Sequence, residues 1–154
     1  KFGGVIFYID ETGEHGLVCA VTDQSNGAEW GCQGTTIEGA DGTAIGTGAQ
    51  NTLDILAGCP TVGTAAYICD TLTLGGFNDW FLPSKDELNE MYLNKAKINT
   101  TATANNGTAF TGSLYWTSTE SDLNLSAIAL ALDNGTQGLP GKSMPLYVRA
   151  IRTF

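Results

Sequence analysis

Basic residues and charge in general are scarce in this chain of 154 residues. Seven Lys and Arg stand against 16 Asp and Glu, the formal net charge is −9, and only 15% of the residues are charged. Affinity for nucleic-acid phosphate needs many basic side chains that release counterions, so this composition argues against a nucleic-acid partner. A long apolar run is also missing, and we therefore expect no membrane insertion.

The chain also lacks the marks of a disordered or multidomain protein. Its apolar fraction is 42%, which is enough for a packed core, and its length fits a single domain over residues 1–154. The sequence opens on a strand-like stretch and shows no signal peptide. This start favours a mature protein or an excised domain.

The few basic residues are distributed unevenly. Residues 1–77 hold one base and nine acids, a net charge of −8, whereas residues 78–154 hold six bases and seven acids, a net charge of −1. Such asymmetry indicates a charged interaction surface in the second half. The simpler alternative is a generally acidic, well-solvated surface.

The four cysteines, Cys19, Cys32, Cys59 and Cys69, all lie in the first half. No Cys-x-x-Cys pair occurs and His15 is the single histidine, so a zinc-thiolate site is disfavoured and no metal ligands are assigned. An even cysteine count favours an exported protein with two disulfides. We favour the pairs Cys19 with Cys32 and Cys59 with Cys69, because each closes a short loop. The alternative is four buried free thiols.

The hydrophobic pattern predicts an α+β fold of short helices packed on small antiparallel sheets. The clearest element is a helix from Ser84 to Asn94, because Ser84 as the N-cap and Glu87 three residues later form a capping box. The other expected elements are a hairpin of strands over 4–10 and 17–21, a structured loop over 23–48, helices over 49–57 and 64–74, a mobile loop over 99–112, and strands over 115–118, 127–132 and 146–154.

Three segments, at residues 75–88, 115–120 and 147–152, resemble the Lcl C-terminal domain family. The first reads Gly-Gly-Phe-Asn-Asp-Trp-Phe-Leu-Pro-Ser-Lys-Asp-Glu-Leu, the second Tyr-Trp-Thr-Ser-Thr-Glu and the third Tyr-Val-Arg-Ala-Ile-Arg. Residues 3–8 and 46–52 match as well, so the resemblance covers nearly the whole chain. It implies a C-type-lectin-like fold with paired N- and C-terminal strands.

Several residues of these three family segments have a structural interpretation. Trp80, Leu82, Leu88 and Trp116 are expected in the core because they are large apolar groups on short elements.

Two arginines in the last family segment are interpreted separately. Because alternate strand residues share a face, Arg149 lies with Tyr147 and Ile151, and we expect it to form an ion pair with Asp79 or Glu87. The alternative for Arg149 is ligand contact. Arg152 falls on the opposite face and is freer to meet solvent.

The sequence offers no evident catalytic constellation, and we expect no enzyme. His15 lies in a predicted turn, and the acids Asp86 and Glu87 are explained by their place at a helix N-terminus. The Glu-Pro-Asn or Gln-Pro-Asp loop and the Trp-Asn-Asp strand of calcium-dependent lectins are absent, so a calcium-bridged sugar site is not expected. No cofactor is expected, apart from a divalent cation that the acidic surface could attract.

The resemblance therefore implies a secreted or cell-surface bacterial adhesin, because the founding members of the family cap collagen-like surface proteins. A domain on such a stalk implies a homotrimer, and the expected partner is a sulfated glycosaminoglycan or another anionic polysaccharide. Two alternatives are an assembly module that binds no glycan and a receptor-binding protein of the phage or retroelement type. The candidate glycan-binding residues are Lys85, Lys95, Lys97, Lys142 and Arg152.

Overall fold

A computed structural model describes residues 2–154 of the chain. Four short helices and two small sheets make a mixed α+β structure, which confirms the predicted fold class. The elements are, in chain order, β1 (Val5–Ile9), β2 (Gly16–Cys19), β3 (Ser25–Ala28), α1 (Gly48–Gly58), α2 (Ala65–Asp70), α3 (Lys85–Leu93), α4 (Lys95–Ala104), β4 (Leu114–Glu120), β5 (Ala127–Ala131), β6 (Gln137–Gly138), β7 (Leu146–Val148) and β8 (Ile151–Thr153).

The first sheet contains both ends of the chain. Its strand order is β1-β2-β8, and both pairings are antiparallel. The expected β1–β2 hairpin is confirmed. The terminal strands β1 and β8 share this sheet, but each pairs with β2 rather than with the other.

The second sheet has the order β3-β7-β4-β5-β6. All its pairings are antiparallel except the contact between β4 and β7, which is parallel. The single strand expected over residues 146–154 is interrupted at Arg149 and Ala150, so that β7 belongs to the second sheet and β8 to the first. At the interruption, the Ala150 N–H donates to the side chain of Gln24 (2.6 Å), and the Ala150 carbonyl accepts from Ala20 N–H (3.0 Å).

The helix α3 confirms the strongest local prediction. The Ser84 hydroxyl accepts from the Glu87 N–H, and the Glu87 carboxylate accepts from the Ser84 N–H, which completes the capping box. The expected mobile loop over residues 99–112 is wrong in its first part, because α4 continues to Ala104. Ile98 and Ala102, one helical turn apart, are buried and anchor that helix.

Two buried clusters form the core. The first contains Trp30, Trp80, Leu82 and Trp116, and the second, under α3 and α4, contains Leu88. The predicted burial of Trp80, Leu82, Leu88 and Trp116 is therefore confirmed. The indole N–H groups of the two fully buried tryptophans both form hydrogen bonds. Trp30 donates to the Thr117 carbonyl (2.9 Å) and Trp116 to the Ala28 carbonyl (2.8 Å).

Candidate functional site

Lys142, a candidate glycan ligand, is completely buried. Its ammonium contacts the Glu120 carboxylate at 2.7 Å, and the two side chains are 0% and 4% exposed. The same ammonium donates to the Thr35 carbonyl (2.7 Å) and lies 4.6 Å from the ring centre of Trp30. The other Glu120 oxygen accepts the Ile37 N–H at 2.7 Å. Lys142 therefore fixes the loop over residues 29–40 to β4 and has no surface for a ligand.

Arg149 forms an ion pair with a partner that the sequence did not predict. Its Nε donates to Asp23 at 2.8 Å, so the expected pairing with Asp79 or Glu87 is wrong. A second guanidinium nitrogen donates to the Thr108 carbonyl (3.2 Å), and the group lies 4.4 Å from the ring centre of Phe110. The period of two fails here because Arg149 stands between two strands of different sheets.

Arg152 is also paired, against the expectation that it would be free to meet solvent. Its Nε and a terminal nitrogen donate to the two carboxylate oxygens of Asp79 at 2.6 and 2.8 Å, a bidentate arrangement. The guanidinium stacks 3.8 Å from the ring centre of Phe77 and donates to the Phe2 carbonyl (3.2 Å). The planar fork and the aromatic stack together occupy this arginine.

The Arg152–Asp79 pair predicts a pH dependence of stability. The hydrogen bonds from Arg152 hold the pKa of the Asp79 carboxyl below its ordinary value of 3.8. Because the native carboxylate is harder to protonate than the unfolded one, this stabilisation is present above pH 3.8 and is lost as the pH falls through the lower native pKa.

We therefore expect Asp79→Asn to lower the melting temperature at pH 7, by a margin that shrinks progressively below pH 3.8. Circular dichroism melts at pH values from 7 to 2 measure this margin. Glu11→Gln, which removes an acid of the exposed β1–β2 turn, is the control. A margin independent of pH would contradict the assigned pairing.

Glu87 has a structural role that is different from the ion pair expected for it. The carboxylate is buried and accepts backbone N–H groups of Ser84 (2.7 Å) and Gly46 (2.8 Å). It lies so close to Gly48 that a Cβ on this glycine would overlap the carboxylate, which explains why glycine stands at the start of α1. Burial raises the pKa of the Glu87 carboxyl. Glu87 therefore joins the beginnings of α1 and α3.

The cysteines form one disulfide, and the favoured pairs are wrong. Cys32 is bonded to Cys59, with the two Cα atoms 5.8 Å apart. Cys19 and Cys69 are free and buried. Burial raises the pKa of the Cys19 thiol to about 12, and it raises that of Cys69 as well, so both stay protonated and poorly reactive.

Three lysines of the second half keep some exposure. The ammonium of Lys85 lies 3.7 Å from Asp86, and that of Lys95 donates to the Leu132 (2.8 Å) and Asp133 (2.6 Å) carbonyls. Lys97 is exposed, and within residues 2–154 its ammonium has no acidic partner.

A surface groove of about 530 Å³ contains Lys97 and, within the part of the chain that the structure describes, no acidic side chain. We call it the lysine groove, and it is formed by Val5, Ile6, Ala96, Lys97, Thr100 and Thr101. Its two walls are β1 and one face of α4, since residues four apart on a helix lie side by side. The structure therefore brings only one of the five candidate ligands, Lys97, into a concave site, because Lys142 and Arg152 are buried and Lys85 and Lys95 lie outside the lining.

Residues 2–154 contain neither a cluster of His, Cys, Asp and Glu suited to a metal ion nor a helix long and apolar enough to cross a membrane.

Asp23 and Glu120, which neutralise buried bases, were not predicted from the sequence. Glu120 had a signal, because it ends the second family segment, but its partner Lys142 lies outside all three segments. The three segments thus combine core residues with members of buried ion pairs.

A family model described as the Lcl C-terminal domain matches residues 19–152. The chain belongs to the Lcl C-terminal domain family. A search of curated proteins finds no significant match. Membership of the family supports a domain of the surface, adhesin type, and the disulfide agrees with an extracellular or surface location.

Proposed function

We propose that the domain is a non-enzymatic bacterial adhesin module that binds sulfated or other anionic glycans through the lysine groove. The observation that carries this proposal is the exposed ammonium of Lys97, which has no acidic partner among the described residues 2–154 and lies in a groove that none of their acids lines, on a chain with net charge −9. A sulfate or carboxylate group meets a favourable local charge there and repulsion over much of the remaining surface.

The other lining groups suit a sugar. The hydroxyls of Thr100 and Thr101 offer hydrogen-bonding groups, and Ile6 and Ala96 offer apolar surface to the face of a sugar ring. Lys95 begins the same helix, but its ammonium donates to the Leu132 and Asp133 carbonyls and lies outside the groove, because residues two apart on a helix do not share a face. Lys85 begins α3, at the end of that helix away from α4, and its ammonium lies 3.7 Å from Asp86, so it is a peripheral contact.

One lysine gives weak binding, so the proposal includes several copies. A homotrimer on a collagen-like stalk would present three grooves at once and raise the avidity. We also propose that the fold is C-type-lectin-like. The two small sheets and the presence of both chain ends in the first sheet support this relation.

Salt-dependent retention on immobilised heparin tests the proposal. Lys97→Ala is expected to elute earlier and to lower the slope of log affinity against log salt by about one, the value for one lost ionic contact. Lys85→Ala removes the same charge from a lysine that lies beside Asp86, and it is expected to elute close to the unchanged protein. No retention at low salt, or equal losses in both variants, would refute binding in the lysine groove.

The same experiment separates a second candidate, an assembly module that binds no glycan. The exposed apolar side chains Leu53 and Val62, near α1, favour contacts with other copies. A protein that is trimeric by light scattering but does not bind heparin would be explained by this candidate. A protein that is monomeric at every concentration would remove the trimer from both.

A further inference from the structure

A second concave surface, which the proposed function does not use, opens at the far end of β4. This acidic cleft has a volume of about 500 Å³. It lies between residues 41–43, the end of β4 with the following loop, and the β5–β6 edge. The residues that matter here are Asp41, Leu123, Asp122, Ile128, Gln137 and Leu139.

The charge of the cleft is negative and unbalanced. Asp41 and Asp122 are exposed, and neither carboxylate has a hydrogen bond or an ion pair within residues 2–154. Glu120 also reaches the lining, but Lys142 neutralises it from below. Among residues 2–154, no basic side chain lines the cleft, so it favours a cationic group.

The walls of the cleft are apolar. Leu123 and Leu139 are 64% and 57% exposed, and Ile128, which belongs to β5, is 8% exposed. Leu125, two residues after Leu123, is also exposed. A patch of exposed leucines is typical of an interaction surface, because covering apolar side chains with a partner removes them from water and lowers the free energy.

The loop that carries the leucines is already ordered. The Ser121 hydroxyl accepts the Leu123 N–H (3.2 Å) and lies 2.6 Å from the Ser126 hydroxyl. The Asn124 side chain donates to the Gly34 carbonyl (3.1 Å), and the Gly34 N–H donates back to the Asn124 carbonyl (3.0 Å). A partner would therefore meet a preformed surface and lose little affinity to ordering of the loop.

We propose that the acidic cleft is a docking surface for a basic, aliphatic segment of a partner protein. A Lys or Arg side chain would place its apolar stem against Leu123, Leu139 and Ile128 and its charged end at Asp41 and Asp122. Charge complementarity selects this occupant. A symmetric contact between the clefts of two copies would bring like charges together, because Lys85, Lys95 and Lys97, the bases outside buried pairs in residues 2–154, belong to α3 and α4 and not to the cleft.

This surface is distinct from the lysine groove in residues and in sign of charge. The groove takes an anion at the β1–α4 face, and the acidic cleft takes a cation at the end of β4. Binding at one site can therefore fail without affecting the other.

Fluorescence anisotropy with a labelled eight-residue peptide of alternating Lys and Leu tests the proposal. Asp41→Asn/Asp122→Asn keeps the shape of the cleft but removes both charges, and we expect the dissociation constant to rise about fivefold or more. Leu139→Ser, which removes part of the apolar wall, is expected to weaken binding as well. Glu11→Gln/Glu14→Gln removes the same number of charges from the β1–β2 turn and is expected to change the constant less than about twofold.

Two further probes fix the chemistry of the occupant. A peptide of alternating Glu and Leu and a peptide of alternating Lys and Ser are both expected to bind more weakly, because each lacks one of the two features. Equal loss in the two double variants would mean diffuse attraction to an acidic protein and would overturn the proposal. Binding of the small amine agmatine as tightly as the Lys-Leu peptide would also overturn it, because the site would then be a pocket for small cations.

Discussion

Replacing Lys142 with Met is expected to lower the free energy of unfolding by about 3–5 kcal/mol, the usual cost of removing one member of a buried ion pair. The cost arises because Glu120 would keep a charge in a site where its side chain is 4% exposed. The Thr35 carbonyl would lose its hydrogen bond from the ammonium at the same time. Met matches the length of the aliphatic stem, so lost packing adds little.

Urea denaturation measures this effect, and two further variants interpret it. Lys97→Met, at an exposed lysine, is expected to change the free energy by less than about 0.5 kcal/mol. Lys142→Met/Glu120→Gln removes both charges and is expected to recover part of the stability, because the Gln oxygen can still accept the Ile37 N–H. If Lys142→Met and Lys97→Met were equally mild, Lys142 would be accessible and would return to the candidate glycan ligands.

Loss of the disulfide between Cys32 and Cys59 is expected to cost about 3.5 kcal/mol. The two cysteines are separated by 27 positions in the sequence, and the chain-entropy relation for a loop of that length gives this value. The bond ties the loop before residue 48 to the C-terminal end of α1. Its removal would loosen the segment that holds Trp30 and Ile37 over the core.

Cys32→Ala/Cys59→Ala, compared with the unchanged protein in urea, measures the cost of losing the bond. Added reductant should destabilise the unchanged protein by a similar amount and leave the variant unaffected. Thiol labelling provides an independent count, in which Cys19 and Cys69 react only after unfolding because both are buried. Four reactive thiols in the unfolded, unreduced protein would contradict the pairing.

Local features of the fold were predictable from the sequence. The capping box at Ser84 and Glu87 uses residues three apart, and its signal is complete within one helical turn. The β1–β2 hairpin and the burial of Trp80 and Trp116 follow from short-range pattern in the same way. The helix α4 was missed because only Ile98 and Ala102 mark its buried face among polar residues.

The partners of the buried charges were not predictable from local pattern. Arg149 pairs with Asp23 over 126 positions, and Lys142 with Glu120 over 22. Strand periodicity also placed Arg149 and Arg152 on opposite faces of one strand, whereas the chain changes sheets between them. The same limit affected the disulfide, since a preference for short loops disfavours Cys32 with Cys59. Of the five lysines and arginines predicted to be surface ligands, two, Lys142 and Arg152, are therefore interior residues.

The change of sheet between β7 and β8 has a consequence for the order in which the protein can fold. Residues 146–153 supply an interior strand to one sheet and an outer strand to the other, and they leave the ribosome after every other strand in residues 2–154. Until then β3 lacks its neighbour β7, and β2 has β1 as its only strand partner. A nascent chain can form its helices and hairpins early. The two sheets are completed, and linked through consecutive strands, only when this last segment has been synthesised.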